Sequence, residues 1–166
     1  MLPSFLYDYK GGRPDDRKSL QVKEELERFL EQGYSKKYLD EMIFTKNEAI
    51  EALKALGINA NTSFYEFYCR FKGVFDSTKG DELYTLDQII EDAKSGFHSD
   101  KYPEIGKRYL QITSIEGEGS YFYDKETDAV YDVNWGEEAD MISGKKEPWF
   151  NSFYDFLEWY YAGVED

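Results

Sequence analysis

Apolar residues recur every three or four positions through the first half of the chain, the spacing of one face of a helix. Two sequences of the form Ser/Thr-x-x-Glu, beginning at Thr45 and Ser63, are typical of capping boxes, in which a hydroxyl and a carboxylate bind free amide groups at a helix start. Glycines follow these periodic segments and are typical helix stops. The pattern predicts helices over residues 15–32, around 38–43, from 45 to 57, and from 63 to about 73.

After Gly80 the pattern changes to short runs of aromatic and β-branched residues separated by turn-forming residues. Three runs divided by two short breaks are typical of an antiparallel meander. Ser152 has the position of a cap that begins a last aromatic helix. The predicted strands cover 109–115, 120–124 and 129–133; 83–84 and 140–142 are candidate short strands, and Thr85 begins a helix after the first of them.

This order predicts a single α+β domain over residues 1–166, in which N-terminal helices and a C-terminal helix flank an antiparallel sheet. The chain is 41% hydrophobic, so it is not disordered by composition despite a mean hydropathy of −0.71. Its first residues have neither the basic nor the apolar region of a signal peptide, and no stretch reaches transmembrane length. A lone cysteine, Cys69, excludes an internal disulfide and is interpreted as an inert thiol in an aromatic segment. We therefore expect a cytoplasmic protein.

Three segments resemble the SUKH superfamily, which includes bacterial polymorphic-toxin immunity proteins and fungal regulators of cell-wall synthesis. They are the aromatic helix Ser63-Phe64-Tyr65-Glu66-Phe67-Tyr68 with Phe71-Lys72-Gly73, the meander from Tyr109 through Gly117-Glu118-Gly119 to Tyr131, and the closing Asn151-Ser152-Phe153-Tyr154-Asp155-Phe156-Leu157. The match runs from about residue 62 to 163 and has the form of a divergent member. It implies a non-catalytic α+β domain, and in its bacterial members direct binding of a toxin.

Charge is distributed unevenly along the chain. The net charge is −14, yet residues 1–80 carry 13 basic and 13 acidic residues, whereas residues 81–166 carry 7 and 21. Such a field repels nucleic acid and anionic membranes and attracts basic proteins. Acidity that serves only solubility is the competing interpretation.

Aromatic residues among these acids suggest an interface with anchoring side chains and a steering field. Trp135, in a predicted loop, is the preferred anchor, although a Trp135 folded back onto the sheet fits the sequence equally well. Trp149, Phe150, Trp159 and Tyr160 are assigned to the core. The predicted partner-binding residues are Glu116, Glu118, Asp124, Glu126, Asp128, Asp132, Trp135, Glu137, Glu138 and Asp140.

The chain lacks the sequence signals of most catalytic sites. His98 is the only histidine, which excludes multi-histidine metal sites, and it is interpreted as a solvated loop residue. No nucleophile elbow or phosphate-binding loop is present. The sequence does not exclude that Glu116 and Glu118 act as a general acid and base. It also does not exclude a weak cation site at residues 124–128. We expect no cofactor, no metal and no enzymatic activity.

Three functions follow from these observations. The preferred one is an immunity protein that binds and neutralises a cognate toxin, expected to be a basic domain such as a nuclease. The first alternative is a non-enzymatic scaffold module of the SUKH type. The second is a carboxylate-dependent hydrolase. The compact chain lacks the long flexible extensions usual in the scaffold proteins, which favours the immunity function.

Overall fold

A computed structural model describes residues 1–74, 77–115 and 117–164 of the chain. Its element order confirms the predicted α+β class: helices precede and follow a three-stranded sheet along the chain. The elements are α1 (Ser4–Tyr7), α2 (Leu20–Glu31), α3 (Lys36–Glu41), α4 (Lys46–Ala55), α5 (Ser63–Arg70), α6 (Leu86–Ser95), α7 (Phe97–Lys101), β1 (Tyr109–Gln111), β2 (Gly119–Asp124), β3 (Val130–Asn134), α8 (Glu138–Ser143) and α9 (Phe153–Tyr160).

Hydroxyl side chains begin most of the longer helices. Thr45 forms the predicted capping box with Glu48, and Thr85 forms a second one with Gln88. The Ser152 hydroxyl accepts the Asp155 amide at 3.1 Å, as predicted for α9. These contacts satisfy amide groups that have no partner within the first turn of a helix.

The cap of α5 differs from the prediction by one residue. Thr62 is the N-cap, and its hydroxyl accepts the Tyr65 amide at 3.2 Å. Ser63 is instead the first helical residue, and its hydroxyl donates to the carbonyl of Met1. Two adjacent hydroxyl residues can both cap a helix, and the sequence alone does not decide between them.

Two further predictions of secondary structure were wrong. The first long helix begins at Leu20 rather than near residue 15, because Ser19 caps it, and Leu20 itself is exposed. Residues 140–142 form part of helix α8 and not a strand. That helix has acids in its first turn and ends at Gly144 with φ +83°, both favourable at those helix ends.

The sheet is the predicted antiparallel meander in the order β1-β2-β3, although β1 ends at Gln111 and not at the predicted residue 115. Tyr109 pairs with Asp124 across β1 and β2, and Gly119 pairs with Asn134 across β2 and β3. Short bridges extend both outer edges: Leu83 pairs with Thr113, and Val130 pairs with Phe150.

Successive residues of the strands enter two different cores, as the alternation of a strand requires. Leu110, Tyr121 and Tyr123 pack in the larger core with α5 and α9, and Phe64 stacks on Tyr123 at 4.2 Å between ring centroids. On the other face Tyr109, Phe122, Tyr131 and Val133 pack with Met141 of α8. The sheet is therefore covered on both sides, and α8 is held beside the end of β3.

Candidate partner-binding face

The ten residues predicted to bind a partner do not share one surface. Glu118 and Trp135 lie at one end of the β2–β3 hairpin, whereas residues 124–128 form the turn at the other end. Five strand steps separate Gly119 from Asp124, which places the two ends about 17 Å apart. Glu116 lies outside the described residues.

Asp124 is a structural residue and not a surface acid, which corrects the prediction. Its side chain is fully buried, and Arg108 binds both carboxylate oxygens, at 3.0 and 2.9 Å. The Glu126 amide and the Thr127 hydroxyl each donate to it at 2.9 Å. Burial by itself raises the pKa of Asp124, but these donors outweigh it and hold that pKa below its usual 3.8. Asp124 thus organises the turn from within.

The other acids of this turn also serve the fold. Glu126 is exposed, and its carboxylate lies 3.2 Å from the Arg108 guanidinium. Asp128 adopts a left-handed conformation, φ +66°, and accepts the Tyr123 hydroxyl at 2.7 Å. Both carboxylates therefore have partners within the fold. The turn is therefore the less suitable end for binding.

The opposite end of the hairpin carries two exposed aromatic rings in contact. Trp135 is 47% exposed and Phe97 of α7 is 54% exposed, and their centroids lie 4.9 Å apart in an edge-to-face arrangement. The Trp135 amide donates to the Glu118 carbonyl at 2.6 Å, and its indole N–H donates to the Gly117 carbonyl at 3.4 Å. Of the two placements the sequence allowed, the structure has Trp135 half-exposed at the surface.

A buried contact between His98 and Glu138 lies beside this aromatic pair. His98 is only 2% exposed, contrary to its prediction as a solvated loop residue, because it belongs to α7 and packs against Phe122. Its Nδ1 lies 3.4 Å from a carboxylate oxygen of Glu138. The His98 ring is 6.0 Å from the Trp135 ring. Glu138 is buried as well, so it lies beneath the predicted contact surface and not on it.

The remaining predicted acids differ in how free they are. Glu137 accepts the Asn134 amide at 2.9 Å and binds the Lys146 ammonium at 3.1 Å, and these donors lower its pKa. Asp132 is half-buried on β3. Glu118 and Asp140 are exposed, and neither carboxylate forms an ion pair with another described residue. The free acidic rim is thus smaller than the sequence suggested.

Phe97 was missed from the sequence, and Trp149 was placed wrongly. The Gly96-Phe97-His98 segment has no periodic pattern, and only its proximity to Trp135 in three dimensions makes Phe97 a candidate for partner binding. Trp149 is 61% exposed, because its backbone pairs with Val130 while its side chain faces outward. Phe150 and Trp159 are partly buried against the larger core and Tyr160 is buried in it, in agreement with the prediction.

Other chemistry is limited in the described part of the chain. No group of three or more His, Cys, Asp or Glu residues there is placed to hold a metal ion. None of the helices in residues 1–74, 77–115 and 117–164 is long and apolar enough to cross a bilayer. Cys69 is half-buried, and burial raises the pKa of its thiol, which lowers its reactivity.

Comparison with protein families, with curated proteins and with solved structures found no match to this chain.

His98 is expected to titrate below its usual pKa of 6.5, because burial disfavours the imidazolium more than Glu138 favours it. The folded state then binds this proton less readily than the unfolded state, so the contribution of His98 to stability falls as the pH drops below 6.5. Proton NMR can follow it without ambiguity, since the chain has one histidine. Glu138→Gln should lower the pKa further, whereas the matched surface change Asp140→Asn should leave it nearly unchanged. A pKa at or above 6.5 would contradict the buried placement.

Proposed function

We propose that this chain is a non-enzymatic immunity protein, a divergent SUKH-like domain that binds a basic toxin domain in the cytoplasm and blocks it. The observation that carries the proposal is the exposed Phe97–Trp135 pair beside the acids of the hairpin end. Large aromatic rings that lose water on contact supply most of the energy in protein interfaces. The helix–meander–helix order is also the order that the resemblance implies.

The support beneath the pair favours binding over a role in packing alone. Trp135 is held by hydrogen bonds from its backbone amide and its indole N–H. The buried His98 ring lies beside the Trp135 ring and contacts the buried Glu138 carboxylate. A side chain that is already fixed loses little conformational entropy when a partner covers it. The partner should be basic because the acidic half of the chain creates the local field, to which Glu118 and Asp140 contribute unpaired carboxylates.

The test uses the protein encoded beside this chain in its native genome. If that protein arrests growth when expressed in a bacterial cell, co-expression of this chain should restore growth. Trp135→Ala and Phe97→Ala should each abolish much of the protection and raise the off-rate of the purified complex by about 30-fold, as for an interface anchor of about 2 kcal/mol. Glu118→Lys with Asp140→Lys should instead slow association, most strongly at low salt.

Trp149→Ala is the matched control, since Trp149 is also an exposed tryptophan but lies near the turn end of β3, where its amide donates to the Val130 carbonyl. It should leave protection and both rate constants unchanged. A neighbouring protein that harms no cell, or that this chain does not bind, would overturn the immunity function. Equal loss from Trp135→Ala and Trp149→Ala would remove the Phe97–Trp135 pair from the interface.

A further inference from the structure

A second surface, separate from the Phe97–Trp135 pair, lies among the N-terminal helices. Two adjacent depressions of about 250 and 490 Å³ run between α6 on one side and α3 with the start and middle of α4 on the other. Both share an apolar floor of Met42, Ile43 and Ile90. Together they form one open groove, called here the α6 groove and defined by Glu41, Met42, Ile43, Glu51, Ile90 and Glu91.

The charge around this apolar floor is predominantly negative. Five carboxylates and a single ammonium, that of Lys94, line the groove. Two of the carboxylates have partners in the fold: Glu48 binds Arg17 at 2.6 Å, and Asp87 accepts the Ile43 amide at 3.0 Å. The other three, Glu41, Glu51 and Glu91, are exposed and form no ion pair with any other residue that the structure describes.

One end of the groove adds exposed aromatic surface. Tyr38 lines it and stacks on Tyr34 with centroids 5.4 Å apart, and both rings are more than two-fifths exposed. Burial and the neighbouring carboxylates of Glu91 and Asp87 raise the pKa of Tyr38, so its hydroxyl stays protonated and able to donate. An aromatic, acid-rimmed end suits a cationic side chain, which can lie on the ring and meet a carboxylate.

We infer that the α6 groove binds a basic amphipathic helix of a partner protein, with apolar side chains on Met42, Ile43 and Ile90 and Lys or Arg residues facing Glu41, Glu51 and Glu91. Charge complementarity selects the basic partner. The partner segment should be a helix, because the helices that line the groove offer no row of free backbone groups with which an added strand could pair. The inference does not depend on the function proposed for the Phe97–Trp135 pair.

The probe is a synthetic peptide of about 14 residues, roughly four helical turns, with Leu along one face, Lys on the others and a fluorescent label. A shuffled peptide of the same composition removes the apolar face and keeps the charge. We expect the amphipathic peptide to bind the full chain at about 0.15 M salt at least tenfold more tightly than the shuffled one, in fluorescence anisotropy. Amide shifts in NMR should map to the α6 groove.

Variants separate the groove from general attraction to an acidic protein. Glu51→Lys with Glu91→Lys should weaken peptide binding about tenfold or more, and Ile90→Ser should weaken it without a change of charge. Glu104→Lys with Glu158→Lys is the matched control, since both glutamates are exposed, lie outside the groove and give the same change in net charge. That control should bind nearly as well as the wild type.

Equal binding of the amphipathic and shuffled peptides would overturn the inference, as would equal losses in the groove and control charge variants. Trp135→Ala should leave peptide binding unchanged. The effect of Trp135→Ala on protection against the toxin is measured separately. A wrong inference about the groove therefore shows in peptide binding, and a wrong proposed function shows in the toxin assay.

Discussion

Replacing Phe64 with Ala is expected to lower the free energy of unfolding by about 3–5 kcal/mol. Phe64 is fully buried and joins three elements: it belongs to α5, stacks on Tyr123 of β2, and contacts Phe153 of α9 with centroids 4.9 Å apart. A cavity at this position removes contacts from the sheet and both helices at once, and the surrounding rings are too rigid to fill it. Urea denaturation should show a lower midpoint with an unchanged slope.

Two controls define this effect. Phe64→Leu keeps most of the apolar volume and should cost less than about 2 kcal/mol. Trp149→Ala removes a larger ring from the surface and should change stability by no more than about 0.5 kcal/mol. A loss below about 1 kcal/mol in Phe64→Ala would mean that Phe64 is not the link between α5, the sheet and α9.

Asp124→Ala is expected to cost about 3 kcal/mol, because the Glu126 amide and the Thr127 hydroxyl both lose a charged acceptor. Glu126→Ala is the matched control: it removes the exposed carboxylate that binds the same Arg108 guanidinium, and should cost no more than about 1 kcal/mol. Equal losses from the two variants would show that the buried and exposed carboxylates contribute alike.

The effect of Asp124 should depend on pH with a defined sign. Its pKa lies below 3.8 in the folded state, so its stabilisation is fully present above pH 3.8 and is lost as the pH falls through the folded value. The difference between wild type and Asp124→Ala should therefore shrink in acid. A difference that stays constant down to low pH would assign the effect to packing and not to the carboxylate.

The meander and the last helix were predicted from the sequence because their signals are local. Runs of aromatic and β-branched residues and the 125–128 turn define the strands, and Ser152 three residues before Asp155 defines a cap. The cap of α5 was predicted at Ser63 but is Thr62. Local signals cannot distinguish two neighbouring hydroxyl residues as caps. Residues 140–142 were predicted as a candidate short strand, but the acids before Ile142 and Gly144 after it fit a helix better.

The site was predicted less well because burial is not a local property. Asp124 and Glu138 have neighbours in sequence like those of the exposed acids, yet both side chains are buried. Each contacts a residue that is distant in sequence: Arg108 contacts Asp124, and His98 contacts Glu138. The reverse holds for Phe97, whose partner Trp135 is 38 residues away. Trp135 was chosen because it lies next to Gly136-Glu137-Glu138 in a predicted loop, and the structure has its ring half-exposed.

The bridges at the two outer edges of the sheet affect the tendency of the protein to associate through those edges at high concentration. Val130 exchanges hydrogen bonds with Phe150, and the Asn134 amide donates to the Glu137 side chain, so the free side of β3 is partly occupied. On the β1 side, the Tyr84 amide donates to the Ile112 carbonyl at 2.7 Å. Edges covered in this way resist the addition of strands from other molecules. A chain with 15 tyrosines and 12 phenylalanines is rich in residues that favour strands, and covered edges leave fewer backbone groups of the native sheet to which such a strand could add.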